Sequence, residues 1–140
     1  MNQQLILQPV VALMLLTLIV WLYMYAKRIP YIVGHKISGK LIATPELLNA
    51  RLPQELSYSS NNLKNLFELP VLFYALCVLL LLTQKVDSVF LYTAWAFVAL
   101  RALHSLIQCT RNVVERRFAA YLLSSLMLWF MLGRFALAVF

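Results

Sequence analysis

Four polar side chains stand within or at the edge of two strongly apolar stretches of this chain. Asn65 and Glu68 lie at the start of one stretch, and Arg101 and His104 lie within the next. A charged group near the centre of a bilayer costs roughly 2.5–3.5 kcal/mol on insertion scales, so such groups are rare there and mark functional sites. Carboxylate, guanidinium and imidazole groups could bind a polar ligand or transfer protons. These four residues are therefore the first candidates for a site.

The composition is that of a membrane protein. Of 140 residues, 63% are apolar, 12% are charged and only 3 are glycine, whereas soluble domains average about half apolar and about a quarter charged. A bilayer core about 30 Å thick needs about 20 apolar residues in a helix. Runs close to this length cover residues 5–26, 66–82, 89–107 and 118–140. The sequence predicts an all-α, integral membrane four-helix bundle that forms one domain over residues 1–140.

The basic residues predict the orientation, because cytoplasmic loops collect Lys and Arg. The long loop 27–60 and the last connection are rich in them, whereas the middle connection has only Lys85 beside Asp87. We therefore expect both termini on the non-cytoplasmic side of the membrane, taken to be a bacterial inner membrane. Contact with lipid headgroups then accounts for the net charge of +7 without a nucleic acid.

Two local patterns predict structure at the ends of the apolar segments. Thr44 followed by Pro45 is typical of a helix start, since proline is favoured at the first helical position. Arg134 lies near the outer end of the fourth segment, where its long side chain could reach the headgroups or pair with Asp87. We expect both to be structural features.

Helical spacing groups the polar residues into two stripes, because residues three and four apart share a helix face. The first stripe comprises Asn61, Asn65 and Glu68. The second, on the third segment, comprises Arg101, His104, Ser105, Gln108 and Asn112. Both lie in the same half of the membrane and can face each other. We predict that Glu68 pairs with Arg101, because opposite charges offset the cost of burying each other.

Such a pair could also be purely structural and fix the register of two helices. The surrounding amides and imidazole, however, supply more donors and acceptors than a single pair uses. The stripes also end near Arg111, Arg116 and Arg117, which form a basic mouth. This combination favours an anionic, water-soluble ligand over a purely structural role.

The segment Asn65-Leu66-Phe67-Glu68-Leu69-Pro70, followed by Arg101-Ala102-Leu103-His104, resembles the MAPEG family of membrane-associated proteins in eicosanoid and glutathione metabolism. The resemblance covers most of the chain and agrees with its size and its four spans. It implies a homotrimer that holds glutathione between adjacent subunits on the cytoplasmic side. It also implies conjugation or reduction of lipophilic substrates by the glutathione thiolate, which an arginine stabilises.

The resemblance further implies roles for individual residues. Asn65 and Glu68 match the glutathione-binding Asn and Glu of the family, and Glu68 suits the free amine of the tripeptide. Arg101 and His104 match the pair on the third helix, which belongs to the same binding site. Glutathione is thus expected as a co-substrate bound by these four side chains.

Two positions depart from the family pattern. Asn61 stands where the better-known enzymes have an arginine, and Gln108 stands where several members have a tyrosine. Lys64 is the candidate to replace the missing arginine near the glutathione carboxylate. Arg116 and Arg117 are the candidate catalytic residues, because a neighbouring guanidinium lowers the pKa of a thiol.

The resemblance thus implies a membrane-embedded, glutathione-dependent transferase or peroxidase acting on lipophilic electrophiles. These would arrive from the membrane lipid along aromatic side chains such as Phe118, Tyr121 and Trp129. Two other classes stay open: a non-catalytic membrane scaffold or accessory protein, and a small proton-coupled transporter. The transporter is the weakest, because the Gly/Pro-interrupted helix pair typical of that class is missing from the sequence. No metal-binding cluster is recognisable either.

Overall fold

The computed structural model describes residues 2–140, and all regular secondary structure in this part is helical. The α-helices are α1 (Leu7–Gly34), α2 (Pro45–Arg51), α3 (Gln54–Leu66), α4 (Leu69–Leu82), α5 (Ser88–Cys109) and α6 (Val114–Val139). Short 3₁₀ turns at Gln3–Ile6 and Gly39–Ile42 precede α1 and α2. Four stretches are long and apolar enough to cross a bilayer: Gln3–Gly34, Gln54–Leu82, Ser88–Cys109 and Val114–Val139. The predicted all-α membrane architecture is confirmed.

The second spanning stretch is interrupted between α3 and α4. Pro70 has no amide hydrogen, and its ring would clash with the carbonyl of Leu66 in a continuous helix, so α3 ends at Leu66. Glu68 then precedes α4 with non-helical backbone angles, φ −97° and ψ −104°. Because α4 alone is too short for a bilayer core about 30 Å thick, α3 must provide part of the crossing. Because of this interruption, polar side chains before and after it do not follow the spacing of one continuous helix.

The first connection contains more helix than its composition suggests. The helix α1 continues to Gly34, beyond the apolar run that ends near residue 26, and includes Pro30. In the predicted short helix, the Thr44 side chain accepts a hydrogen bond from the Leu47 amide at 3.4 Å. That prediction is confirmed. Residues 27–60 are therefore largely helical.

The core is formed by large apolar side chains from all four spanning stretches. Leu13, Phe73, Phe97 and Leu128 are almost completely buried, and the Phe73 and Phe97 rings stack with centroids 4.6 Å apart. Many large apolar residues elsewhere are exposed, including Ile19 on α1. An exposed apolar surface of this extent is typical of helices that contact lipid or a neighbouring subunit.

The N-terminus, the α4–α5 turn and the C-terminal helix meet at one end of the bundle. Gln3 Nε2 donates to the Val86 carbonyl at 3.1 Å, and the Val86 amide donates to Gln3 Oε1 at 2.8 Å. Arg134 donates to both carboxylate oxygens of Asp87, at 2.8 and 2.6 Å. The expected Arg134–Asp87 pair is confirmed. The polar residues of the candidate site lie toward the opposite end.

Asp87 gives the fold a pH dependence. Its carboxylate accepts from Arg134 and from the Phe90 amide at the start of α5, and these hydrogen bonds hold its pKa below the usual range. A depressed pKa stabilises the folded state above about pH 4, and this contribution is lost as the pH falls below that value. We expect Asp87→Ala to lower the free energy of unfolding by about 1 kcal/mol through loss of the cap.

Thermal unfolding in detergent at neutral and acidic pH tests this expectation. The matched variant is Asp87→Asn, because asparagine caps a helix as well as aspartate but forms no ion pair. It should be more stable than the alanine variant and less sensitive to acid than the parent. An identical acid response of parent and Asp87→Asn would show that another group causes the pH dependence.

Candidate functional site

Polar side chains of α3 and α5 contact each other, as the two stripes predict. Asn65 Nδ2 donates to Gln108 Oε1 at 3.0 Å. One turn earlier on α3, Asn62 Oδ1 accepts from the Ser105 hydroxyl at 3.2 Å, and Asn62 Nδ2 lies 3.5 Å from the sulfur of Cys109. The helices are thus joined through Asn62 and Asn65.

Asn62 is the residue that sequence reasoning missed. The buried face of α3 carries Ser59, Asn62 and Leu66, which puts Asn61 on the exposed side. Two adjacent asparagines differ by about 100° around a helix axis, so only one of them can face the partner helix. The spacing of Ser59, Asn62 and Leu66 places them on one helix face, and this was the signal present in the sequence. Spacing alone, however, does not show which face of α3 is buried.

The buried position of Asn62 predicts a stability effect. Asn62→Ala would leave the buried Ser105 hydroxyl without its acceptor, and an unsatisfied buried polar group costs about 1–3 kcal/mol. We expect the free energy of unfolding in detergent to fall by about this amount. Asn61→Ala is the matched control, because the exposed Asn61 should change stability by less than about 0.5 kcal/mol. Equal losses would mean that the α3 register differs from the one described.

Arg101 is a completely buried cation without a hydrogen bond. Its exposed fraction is 0%, and Nε, Nη1 and Nη2 all lack a partner in the described part of the chain. The guanidinium lies over two aromatic rings, with its carbon 4.7 Å from the Tyr121 centroid and 5.3 Å from that of Phe97. Cation–π contact offsets only part of the cost of burying the charge. The positive charge therefore has no directly paired carboxylate, and Glu68 and Tyr121 act on it from a greater distance.

The predicted Glu68–Arg101 pair is wrong for the single chain. Glu68 is exposed at the junction of α3 and α4, and the only ion pair within residues 2–140 joins Arg134 and Asp87. The reason is the break imposed by Pro70: without a continuous helix, Glu68 does not share a face with Asn65. Glu68 therefore makes no direct ion pair with Arg101, although its carboxylate still acts on the guanidinium electrostatically.

A cavity of about 300 Å³ lies next to these polar contacts, between α3, α5 and α6. His104 is 2% exposed and its Nδ1 has no hydrogen-bond partner among residues 2–140. Its ring lies 5.8 Å from that of Tyr121, which also contacts Arg101. The cavity is lined by Asn65, His104, Gln108, Val114, Arg117, Phe118 and Tyr121. Most of these side chains can donate hydrogen bonds to an anion.

The structure separates the two candidate catalytic arginines. Arg117 is half-buried, lines the cavity and donates from Nη1 to Asn112 Oδ1 at 2.5 Å. Asn112 lies in the turn after α5 with φ +50°, a left-handed conformation that asparagine tolerates better than most residues. Arg116 is exposed and does not line the cavity. Of the two, only Arg117 is placed to act on a molecule bound there.

The remaining predicted residues lie elsewhere. Lys64 is exposed and lines a second cavity on the other side of α3, away from Asn65. Of the aromatic side chains expected along the substrate route, Phe118 and Tyr121 line the first cavity, whereas Trp129 is exposed further along α6. In the part of the chain described, no group of three or more His, Cys, Asp or Glu side chains could hold a metal ion.

Four spanning stretches around a buried polar site define a polytopic integral membrane protein with a candidate anion-binding cavity. Comparison with protein families agrees with this class. The model of the MAPEG family matches residues 6–137, nearly the whole chain. The chain belongs to the MAPEG family, whose members act in glutathione and eicosanoid metabolism. No curated protein and no solved structure matches it.

Proposed function

We propose that this protein is a membrane-embedded, glutathione-dependent transferase or peroxidase acting on lipophilic electrophiles. The observation that carries the proposal is the buried Arg101, which has no direct ion pair and contacts Tyr121 in the wall of a cavity rich in hydrogen-bond donors. A fixed positive charge in a low-dielectric setting attracts an anion strongly. Membership of the MAPEG family supports glutathione as that anionic molecule.

The donors around the cavity fit the chemistry of glutathione, which carries two carboxylates, one amine and one thiol. Asn65, Gln108 and His104 can bind its carboxylate and peptide groups. Arg117 is the side chain suited to the sulfur, because a guanidinium favours a thiolate over a thiol. In conjugation the thiolate forms a bond with the electrophilic carbon, and the leaving group departs with the electron pair of the broken bond. In peroxide reduction two thiols become a disulfide while the peroxide yields an alcohol and water.

The exposed position of Glu68 bears on the assembly of the site. The described residues that line the cavity include no carboxylate for the amine of glutathione, whereas Glu68 is exposed at the α3–α4 junction. The homotrimer implied by the family resemblance would bring this surface against a second copy. In the proposed trimer, Glu68 binds the amine of glutathione from the subunit boundary, which is why it does not point into its own bundle.

The proposed topology has both termini on the non-cytoplasmic side of a bacterial inner membrane. Two observations support it: the basic side chains concentrate in the first and last connections, and the N- and C-terminal segments meet at the opposite end of the bundle. Glutathione is a cytosolic thiol, so this orientation places the cavity near the compartment that supplies it. The exposed apolar surfaces of the helices contact the lipid from which the second substrate arrives.

Calorimetry on the detergent-purified protein tests the proposal. The parent should bind glutathione with release of a proton, detected by titration in buffers of different ionisation enthalpy, because the thiol becomes a thiolate. S-methylglutathione should bind without proton release. Asn65→Leu should weaken binding about tenfold, the effect of roughly 1.4 kcal/mol expected for one lost hydrogen bond. Asn61→Leu is the matched control and should bind as the parent does.

The outcome distinguishes the enzyme from the open alternatives. Binding with proton release, weakened by Asn65→Leu alone, would establish the thiolate site. Binding without proton release would mean a glutathione site that does not activate the sulfur. Absence of binding at high ligand concentration would contradict the proposal and support a membrane scaffold that keeps the family fold.

A further inference from the structure

A second cavity lies on the opposite face of α3 from the candidate glutathione site. Its volume is about 520 Å³, and it is bounded by the end of α1, the segment leading into α2, and α3. Polar and aromatic side chains on its wall include Arg28, Thr44, Asn49, Ser60, Lys64 and Phe67. None of the described residues that line it is acidic. Two cations thus share one cavity without a carboxylate in its wall.

Arg28 is held in place at the back of this cavity. It is only 8% exposed, and it donates from Nε to the Leu56 carbonyl at 3.1 Å and from Nη2 to Asn49 Oδ1 at 3.3 Å. Within residues 2–140, Nη1 of Arg28 forms no hydrogen bond. This nitrogen is also not completely enclosed by protein atoms. One donor of a rigidly held guanidinium therefore stays free for a ligand.

The opposite side of the cavity is more open. Lys64 is exposed and has no ion pair in the region that the structure describes. The carboxylate of Glu46 acts on Lys64 electrostatically, but it points to solvent and is not part of the wall. The Thr44 hydroxyl accepts from the Leu47 amide and also hydrogen-bonds the Glu46 carboxylate, so it is not available to a ligand. Two cationic donors, Lys64 and the free Nη1 of Arg28, can thus converge on one anionic group.

The position of the cavity relative to the bilayer indicates the source of the anionic group. At about 1.5 Å per residue, about 20 residues of α1 counted from Leu7 cross a bilayer core about 30 Å thick. Arg28 follows directly after this stretch, at the level of the lipid headgroups. Phe67, 65% exposed at the rim, adds apolar surface next to the cationic wall. A headgroup phosphate with acyl chains beside it matches this combination of charge and apolar surface.

We propose that this cavity is a binding site for the phosphate of an anionic phospholipid, with Arg28 Nη1 and Lys64 as the cationic contacts. A guanidinium and an ammonium together give charge-assisted hydrogen bonds to phosphate oxygens, which are about twice as strong as neutral ones. The site does not depend on glutathione, and its occupation would fix the first connection against the bundle at the membrane surface.

Native mass spectrometry of the detergent-purified protein tests the proposal, after reconstitution with phosphatidylglycerol or phosphatidylcholine. The parent should retain phosphatidylglycerol in preference to phosphatidylcholine. Lys64→Gln should reduce this retention about tenfold, as expected for loss of one charge-assisted contact. Lys40→Gln is the matched control, because Lys40 is an exposed lysine of the same connection that does not line the cavity. It should retain the lipid as the parent does.

Two results would overturn the proposal. Equal loss of lipid from Lys40→Gln and Lys64→Gln would show general attraction of anionic lipid to a basic surface. Displacement of the lipid by a modest excess of inorganic phosphate would identify a soluble phosphate as the ligand. Arg28→Gln should also lose the lipid, but it removes two internal hydrogen bonds and could unfold the protein. The proposal is therefore tested at the exposed Lys64.

Discussion

Arg117→Ala is expected to lower kcat/KM for conjugation of glutathione to a lipophilic electrophile by about 10²–10³-fold. Removal of one preorganised electrostatic contact to a developing or stabilised anion has an effect of this size. Arg117 lines the cavity, and Asn112 fixes its guanidinium, so both the position and the charge are set before the ligand binds. The loss should appear mainly in kcat, because the thiolate is the reacting form.

The pH profile distinguishes activation of the thiol from a structural role of Arg117. In the variant, ultraviolet absorbance of bound thiolate should appear only as the pH approaches the ordinary thiol pKa of about 8.5. In the parent it should appear at lower pH. Arg116→Ala, which changes the same charge at an exposed neighbouring position, should leave both rate and profile nearly unchanged. A larger effect for Arg116 than for Arg117 would contradict the assignment.

Arg101→Met is expected to stabilise the protein while it weakens glutathione binding. Replacing buried ionic groups by apolar side chains of similar volume is often neutral or stabilising by about 1–4 kcal/mol, because the cost of removing charge from water disappears. Arg101 is 0% exposed and has no hydrogen bond within the described chain. The midpoint of thermal unfolding in detergent should rise, and glutathione affinity measured by calorimetry should fall at least about tenfold.

Arg28→Met is the matched control for this experiment. Arg28 is nearly as buried as Arg101, but it donates to the Leu56 carbonyl and to Asn49. Its replacement should lower the unfolding midpoint, because it removes both of these hydrogen bonds to a buried side chain. If Arg101→Met raises the unfolding midpoint and Arg28→Met lowers it, Arg101 is retained for ligand binding although it reduces stability. Destabilisation by Arg101→Met would mean that a group from a neighbouring copy compensates the charge in the assembled protein.

The helical architecture could be predicted because it depends on local properties of the sequence. Apolar runs near the length of a bilayer crossing, together with few charges, leave only helices as a solution for the backbone. The short helix at Pro45 likewise follows from an N-cap and a proline at the first position. The facing of the α3 and α5 polar stripes followed from helical periodicity and from the direction of each helix. The Asn65–Gln108 hydrogen bond agrees with it.

The contacts of individual polar side chains were harder to predict, and Glu68 is the clearest example. Its spacing from Asn65 suggests one helix face, but Pro70 interrupts the helix and leaves Glu68 exposed. The choice between Asn61 and Asn62 was open for a related reason. Neighbouring positions differ by about 100° around the axis, and only the packing of α3 against α5 decides which one is buried.

By itself the sequence determined the class of the protein, the number of its crossings and the residue types available for an anion site. These follow from hydropathy and from local backbone preferences, which act over a few residues. Only the tertiary structure decided that Arg117 rather than Arg116 lines the cavity, that Arg101 has no direct ion pair, and that Lys64 belongs to a second cavity. The physical reason is that charge compensation and burial depend on distances between helices, which are set by packing.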